Sequence, residues 1–358
     1  MRSTHVLTYT ALRQTALPAG STIAAMPLRL VPWSPEYGSG IEAETDAAAD
    51  DGASLVEADF EGAWRAIRPA AAAPPAVQIV DGVRRVEAHA IDDGSDGTIA
   101  FGLFGSYAVG VVRCEGRHAH IPDSERVLRV RRRYLQTGTE ADDRTVAVGH
   151  AELHFRAELP TGAQAPADLI AALNRLMLDE EARLAEELSE DSSALTIVDG
   201  PLRLRAAGPR VVGYVKRTHR WYIGADRFAL LGTLAVGERT PLFRIAENGG
   251  QRDRLAWYLR IADMGTQYHQ LSGIVRLETL GTLPPRDAAA VADQTALVLP
   301  RLASSPIRDP RAPQNLTPVG ALEQLLTRRL GDRLWLRRRI AAALQPASTT
   351  FAIAAEAS

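Results

Sequence analysis

Ile79-Val80-Asp81-Gly82 and Ile197-Val198-Asp199-Gly200 are the same four residues at two places in the chain. In each, a short apolar run ends in an aspartate, and a glycine follows that lets the chain turn or another group come close. Runs of this kind read as buried strands, predicted at 77–81 and 195–198. Between them, 99–112 is apolar and broken by glycines, 127–135 alternates arginine with valine and leucine, and 146–159 alternates again. Three or four consecutive strands predict an antiparallel meander. A helix is predicted over 166–188, where leucines 169, 173, 176, 184 and 188 share one face. Downstream, 211–216, 228–234, 256–261 and 273–277 read as strands, and 287–299 and 318–330 as helices.

Outside this pattern the chain is irregular. Residues 1–75 hold Pro18, Pro27, Pro32 and Pro35, an acidic, alanine-rich stretch over 42–59, and the linker-like run 69–75. The expected organisation is an extension and linker over 1–75, one domain over 76–345 and a tail over 346–358. The 358 residues are 46% hydrophobic and 23% charged with a net charge of −2, so nucleic-acid or membrane binding would have to come from local patches. Cys114 is the single cysteine, which excludes an internal disulfide framework. With no run of about 20 apolar residues and no signal-peptide layout at Met1-Arg2-Ser3-Thr4-His5-Val6, the expectation is a soluble cytoplasmic protein.

A strand ending in aspartate, further antiparallel strands, a helix, then a strand ending in aspartate is an order that resembles the ribonuclease H-like fold. The predicted class is therefore α/β, a mixed sheet flanked by helices with an irregular N-terminal extension. That fold puts its first and fourth strands side by side, making Asp81 and Asp199 neighbours. Adjacent carboxylates repel, and an all-oxygen site suits Mg²⁺ or Mn²⁺. Such ions activate water and stabilise the leaving oxygen of a phosphodiester. On the helix, Glu180 falls within the leucine face and Glu181 on its border. A glutamate buried there costs several kcal/mol unless something pairs with it, so either qualifies as a third acid. Glu323, on the last predicted helix, is a candidate fourth. Lys216 is the only lysine among 41 basic residues and ends the strand that follows Asp199. A site crowded with carboxylates takes a thin ammonium more readily than a guanidinium fork.

Taken together these residues resemble the NurA nuclease family. The resemblance rests on Val80-Asp81-Gly82 with the arginine pair Arg84-Arg85, the helix with Arg175 and Glu180-Glu181, and Ile197-Val198-Asp199-Gly200-Pro201-Leu202. It continues through Gly213-Tyr214-Val215-Lys216-Arg217-Thr218-His219, Ile274-Val275-Arg276-Leu277-Glu278 and the approach from Pro313 to Glu323. It implies a metal-dependent phosphodiesterase: a manganese- or magnesium-dependent nuclease on single-stranded DNA and duplex ends. It also implies a homodimer that works with a hexameric HerA-type ATPase in end resection, repair or defence. The resemblance assigns Asp81 and Asp199 as ligands and matches the helix acid to Glu181, whereas periodicity favours Glu180. One position departs from the family: a histidine is usual in the C-terminal helix, whereas the last histidine here is His269 and the helix offers Glu323. An alternative reading follows from that departure, a non-catalytic subunit that docks on and regulates a DNA-translocating ATPase. A third is an enzyme acting on RNA or a hybrid.

Other clusters carry less. His118-Ala119-His120 and His150 with His154 have metal-binding spacing but no completing partners, Cys114 has no nucleophile context, and no Walker-type glycine loop exists. Arg126, Arg129 and Arg131-Arg132-Arg133 on a strand, and the arginines at 328, 329, 333 and 337–339, are candidate contacts for a DNA backbone or simply solvated faces. Trp221, Tyr222, Trp257 and Tyr258 are candidates for base stacking or for core.

Overall fold

In a computed structural model of the protein, the described residues are 63–344 without 71, 75, 94–97, 123, 139, 203–207, 217–220, 247–252, 266–270 and 306–312, together with two short strands at 29–30 and 54–55. Most of the 1–75 extension, the 346–358 tail, residues 217–219 and His269 lie outside them.

In chain order the strands before the long helix are β1 (Arg29–Leu30), β2 (Ser54–Leu55), β3 (Ala76–Asp93), β4 (Ile99–Glu115), β5 (His118–His120), β6 (Arg129–Gln136), β7 (Arg144–Val148) and β8 (Ala151–Glu158). Then come α1 (Pro166–Leu188), β9 (Ala194–Asp199), β10 (Val211–Val215), α2 (Ala225–Thr233), β11 (Phe243–Ile245), β12 (Arg254–Arg260) and β13 (Ile274–Leu280). Three helices follow: α3 (Pro285–Leu302), α4 (Thr317–Arg329) and α5 (Arg333–Ala343). The strands form one mixed sheet in the order β2-β11-β12-β13-β10-β9-β3-β4-β6-β8-β7, with β1 on β3 and β5 on β4. No helix among the described residues is long and apolar enough to cross a membrane.

At the centre, β3, β9 and β10 are parallel, while β4 runs antiparallel to β3 and β6 antiparallel to β4. The β3/β9 ladder runs from Ala76↔Ala194 to Val80↔Val198. Asp81 and Asp199 are thus the residues immediately after its last pair.

Several expectations needed correction. The first strand does not stop at Asp81-Gly82 but continues to Asp93, because β4 pairs with it along its whole length. Residues 228–234 are mostly helix α2; its alanine and leucines favour a helix and Asp226 sits in its first turn. The 146–159 run is a hairpin, β7 and β8, turned at Gly149 with φ +68°. The meander ends at β6, since β8 pairs with β6 in parallel. The last predicted helix is α4, and beyond Gly331, with φ +85°, comes a further helix, α5, that the periodicity does not predict.

Pleat alternation assigns the two faces. Val77, Ile79, Ile197, Val212 and Tyr214 pack with α3 and α4; Val80, Val198 and Val211 pack with α1. On α1, Leu169, Leu173 and Leu184 are buried, each burial worth about 2 kcal/mol. The helix starts at Pro166, with Asp168 accepting from the Gln164 and Ala165 N–H groups at 2.9 Å, which holds its carboxyl below the usual range. A third cluster places α5 over Ala88, Ala90, Phe104 and Tyr134.

Candidate active site

Odd-numbered strand residues around Asp81 face α4. Asp81 is 5% exposed, and its Oδ2 has no hydrogen-bond partner. Burial pushes its carboxyl well above the usual range, and the charges of Asp199 and Glu323 push the same way, against Lys216 and the Gly82 N–H. Asp199, on the neighbouring strand, accepts a hydrogen bond from Lys216 Nζ at 2.7 Å. Lys216 reaches Asn315 Oδ1 at 3.4 Å. Burial alone would lower the ammonium's pKa, but Asp199, Asp81 and Glu323 outweigh it and the net shift is upward. Lys216 is therefore a fixed positive charge at neutral pH.

α4 reaches this spot because the sheet beneath it is thin. Gly110 is the cross-strand partner of Asp81, and a Cβ there would crowd Leu128, Leu322 and Leu326. With no side chain in the way, Leu322 and Leu326 bury against β4, and neighbouring Glu323 comes near enough for its charge to act on Asp81. The approach to α4 is tied down by Tyr214, whose hydroxyl donates to the Gln314 carbonyl at 2.7 Å.

Glu180 and Glu181 are both buried, at 2% and 3% exposure, and their neighbours separate them. Glu180 is paired with Arg129, Arg131 and Arg183 at 3.2–3.4 Å, two strands away from Asp81. Glu181 lies over Gly82, where a Cβ would collide with its Oε1 and crowd Met177. Gly82 thus opens the α1 face of the strand next to Asp81, as Gly110 opens the α4 face.

The structure brings Asp81, Asp199, Lys216 and Glu323 together, sets Glu181 over Gly82 on the other, α1 face of the strand, and leaves Glu180 with arginines. Gly110 and Asn315 went unnoticed in the sequence. A lone glycine in the apolar run 108–112 was a usable signal of close approach; Asn315 had none. Among the described residues no three Asp, Glu, His or Cys side chains form a ready-made metal centre. The donor chemistry nonetheless fits a hard cation: all oxygen, largely buried, with one carboxylate oxygen on Asp81 still unpartnered.

Several β6 arginines and most of the aromatic candidates turn inward, whereas Arg126, Arg328, Arg329 and Arg338 are exposed. Arg129 is buried on Glu180 and Glu187, Arg132 donates to Ser106 and the Leu330 carbonyl, and Arg133 pairs with Glu158. Trp257 and Tyr258 are core, while Trp221 packs edge-on against Phe228 and Tyr222 lies under Arg276.

A family model described as the NurA domain matches residues 88–319. That is more than half of the chain, and the protein belongs to this family, whose members are nuclease-type proteins. The match includes Glu181, Asp199, Lys216 and Asn315; Asp81 lies just before it and Glu323 just after. No curated protein matches the chain.

Proposed function

We propose that this NurA-family chain is a metal-dependent DNA nuclease with a ribonuclease H-like core, acting on single-stranded DNA and duplex ends. The observation that carries the reading is the buried, unpartnered Asp81 carboxylate oxygen beside the Asp199–Lys216 pair, at the edge where the parallel strands part. The central order β6-β4-β3-β9-β10, in which β4 alone runs against the other four, supports the core assignment.

Asp81, Asp199 and Glu181 would hold Mn²⁺ or Mg²⁺, with Glu323 completing the set. When bound, the ions lower the pKa of water and offset charge on the phosphodiester. Asp199 keeps Lys216 in place, and the ammonium offers a compact positive charge to the scissile phosphate. Burial of Asp81 excludes bulk water and makes its carboxylate depend on a cation. The chain would act as a homodimer in the cytoplasm, fed by a hexameric HerA-type ATPase.

The test is digestion of single-stranded DNA by purified protein with Mn²⁺. Asp81→Ala and Asp199→Ala should each abolish it, with circular dichroism unchanged. Retained digestion in either variant sinks the assignment. The second reading, a non-catalytic regulator of an ATPase ring, is favoured by Glu323 standing where the family usually has histidine. It predicts no cleavage by the wild type with any divalent ion, and co-purification with the ATPase.

A further inference from the structure

Behind α4 lies a second charged cluster that the proposed chemistry does not use. Glu87 is fully buried, and it sits where the β3/β4 register shifts between Val86 and Ala88. This bulge sets Glu87 and Ala88 on the α4/α5 side together. Arg85 grips Glu87 with two hydrogen bonds of 2.9 Å. The same guanidinium donates to the Gly331 carbonyl at 2.9 Å and to the Leu330 carbonyl at 3.2 Å. Arg132, from β6, lies 4.0 Å from Glu87 and donates to Leu330 at 3.2 Å and to Ser106 at 2.8 Å.

Two guanidiniums therefore cap the carboxyl end of α4, where unsatisfied carbonyls and the helix dipole concentrate negative charge. Glu87 balances them in the interior. Arg85 and Asp81 are on the same strand and the same face, about 13 Å apart at the rise of an extended chain. The opposite end of α4 is held by Tyr214 and by Asn315 beside Lys216. Glu323 lies between the two anchors.

We propose that Arg85, Glu87 and Arg132 are positioning residues, a buried clamp that fixes α4 so that Glu323 and Asn315 stay registered against Asp81 and Lys216. The inference rests on the nuclease reading for its consequence at the metal site, but its geometry does not. Buried ion clusters stabilise little relative to an apolar replacement, and one use they can serve is to select a single arrangement of elements. Here that arrangement is the seat of α4. Outer-shell partners of metal ligands commonly set affinity by tenfold or more.

Two measurements test it on the full chain: amide hydrogen exchange of α4, and Mn²⁺ affinity by titration without DNA. In the apolar triple variant Arg85→Met, Glu87→Leu and Arg132→Met, amides over 317–330 should exchange at least about tenfold faster while those of β9 stay as in the wild type. Mn²⁺ should bind about tenfold more weakly. Glu323→Gln should lose a similar factor, and adding it to the triple variant should cost no further affinity, because both changes remove the same seated carboxylate. Unchanged exchange in α4, or losses that multiply, overturns the clamp. If the triple variant does not fold, Arg85→Lys decides: its single ammonium cannot span two carbonyls and Glu87, so a smaller shift in the same two readouts is expected, and none refutes the proposal. If the wild type binds no Mn²⁺, the nuclease reading falls, and the clamp is judged on α4 exchange alone.

Discussion

The two Ile-Val-Asp-Gly segments share every local instruction and end in different structures. At 79–82 the strand runs on to Asp93 under a full-length partner, and its aspartate is buried with an oxygen unpartnered. At 197–200 the strand stops, Gly200 turns with φ +89°, and Asp199 keeps a side chain 28% exposed and bonded to Lys216. The glycines differ in the same way. Gly82 has no positive φ and is needed for space, because Glu181 and Met177 press on it; Gly200 has nothing within 4 Å of its absent Cβ and is needed for conformation. An identical tetrapeptide thus holds a buried carboxylate in one place and makes a turn beside an ion pair in the other, according to what the sheet and helices bring to it.

The sharpest way to break this comparison is to neutralise each aspartate. Asp81→Asn and Asp199→Asn should both reduce Mn²⁺-dependent digestion about 10³-fold or more, equivalent to about 4 kcal/mol of barrier. Their metal-free stabilities should move in opposite directions. Asp81→Asn removes an unfavourable buried charge and should raise the melting temperature by about 2–4 °C. Asp199→Asn strips Lys216 of its partner and should cost about 1 kcal/mol, discounted because both groups are partly solvated. Equal shifts would erase the distinction between the two carboxylates.

Lys216→Arg tests the occupant of the second segment. A planar fork cannot take the place of a point charge between Asp199 and Asn315, so digestion should fall about 10- to 100-fold with folding intact. Wild-type cleavage would mean that only the charge matters.

The glycines come next. Gly82→Ala should act through Glu181, weakening Mn²⁺ binding and costing about 1–3 kcal/mol from overpacking. Gly200→Ala should cost about 1–2 kcal/mol from the left-handed backbone, read by denaturant melts, with a smaller effect on metal binding. A larger metal effect at Gly200 would reverse the roles argued for the two glycines.

The smallest effect is in pH. Asp81's folded pKa is raised above its unfolded value near 4, for which burial is the largest cause, followed by Asp199. Its contribution to stability is therefore fully present below about pH 4 and is lost as pH rises through the raised folded value. Metal-free wild type should lose stability across that window. Asp81→Asn should flatten the slope, and melts at a series of pH values read it directly.

Periodicity located α1, α3 and α4 because a face of leucines or alanines repeats at helical spacing whatever it packs against. On the same grounds it favours Glu180, yet both glutamates are buried, about 100° apart on one helix. What separates them is three arginines on one side and a bare glycine on the other, contacts from β6 and β3 that no local pattern records. Residues 228–234 misled because an apolar run reads alike in strand and helix. The arginines of β6 looked like a solvated basic face, yet Arg129 and Arg132 turn inward to Glu180 and to the end of α4.

From the sequence alone came the aspartates at apolar strand ends, the helix acids, the lone lysine beside them and the order of elements that sets β3 against β9. These are properties of chain-local chemistry and of alternation. The tertiary structure alone decided which carboxylate is buried, which is paired with Lys216 and which glutamate meets Gly82. Those outcomes depend on the electrostatic and steric field at a point, to which residues far apart in the chain contribute together, and no short stretch of the chain contains that sum.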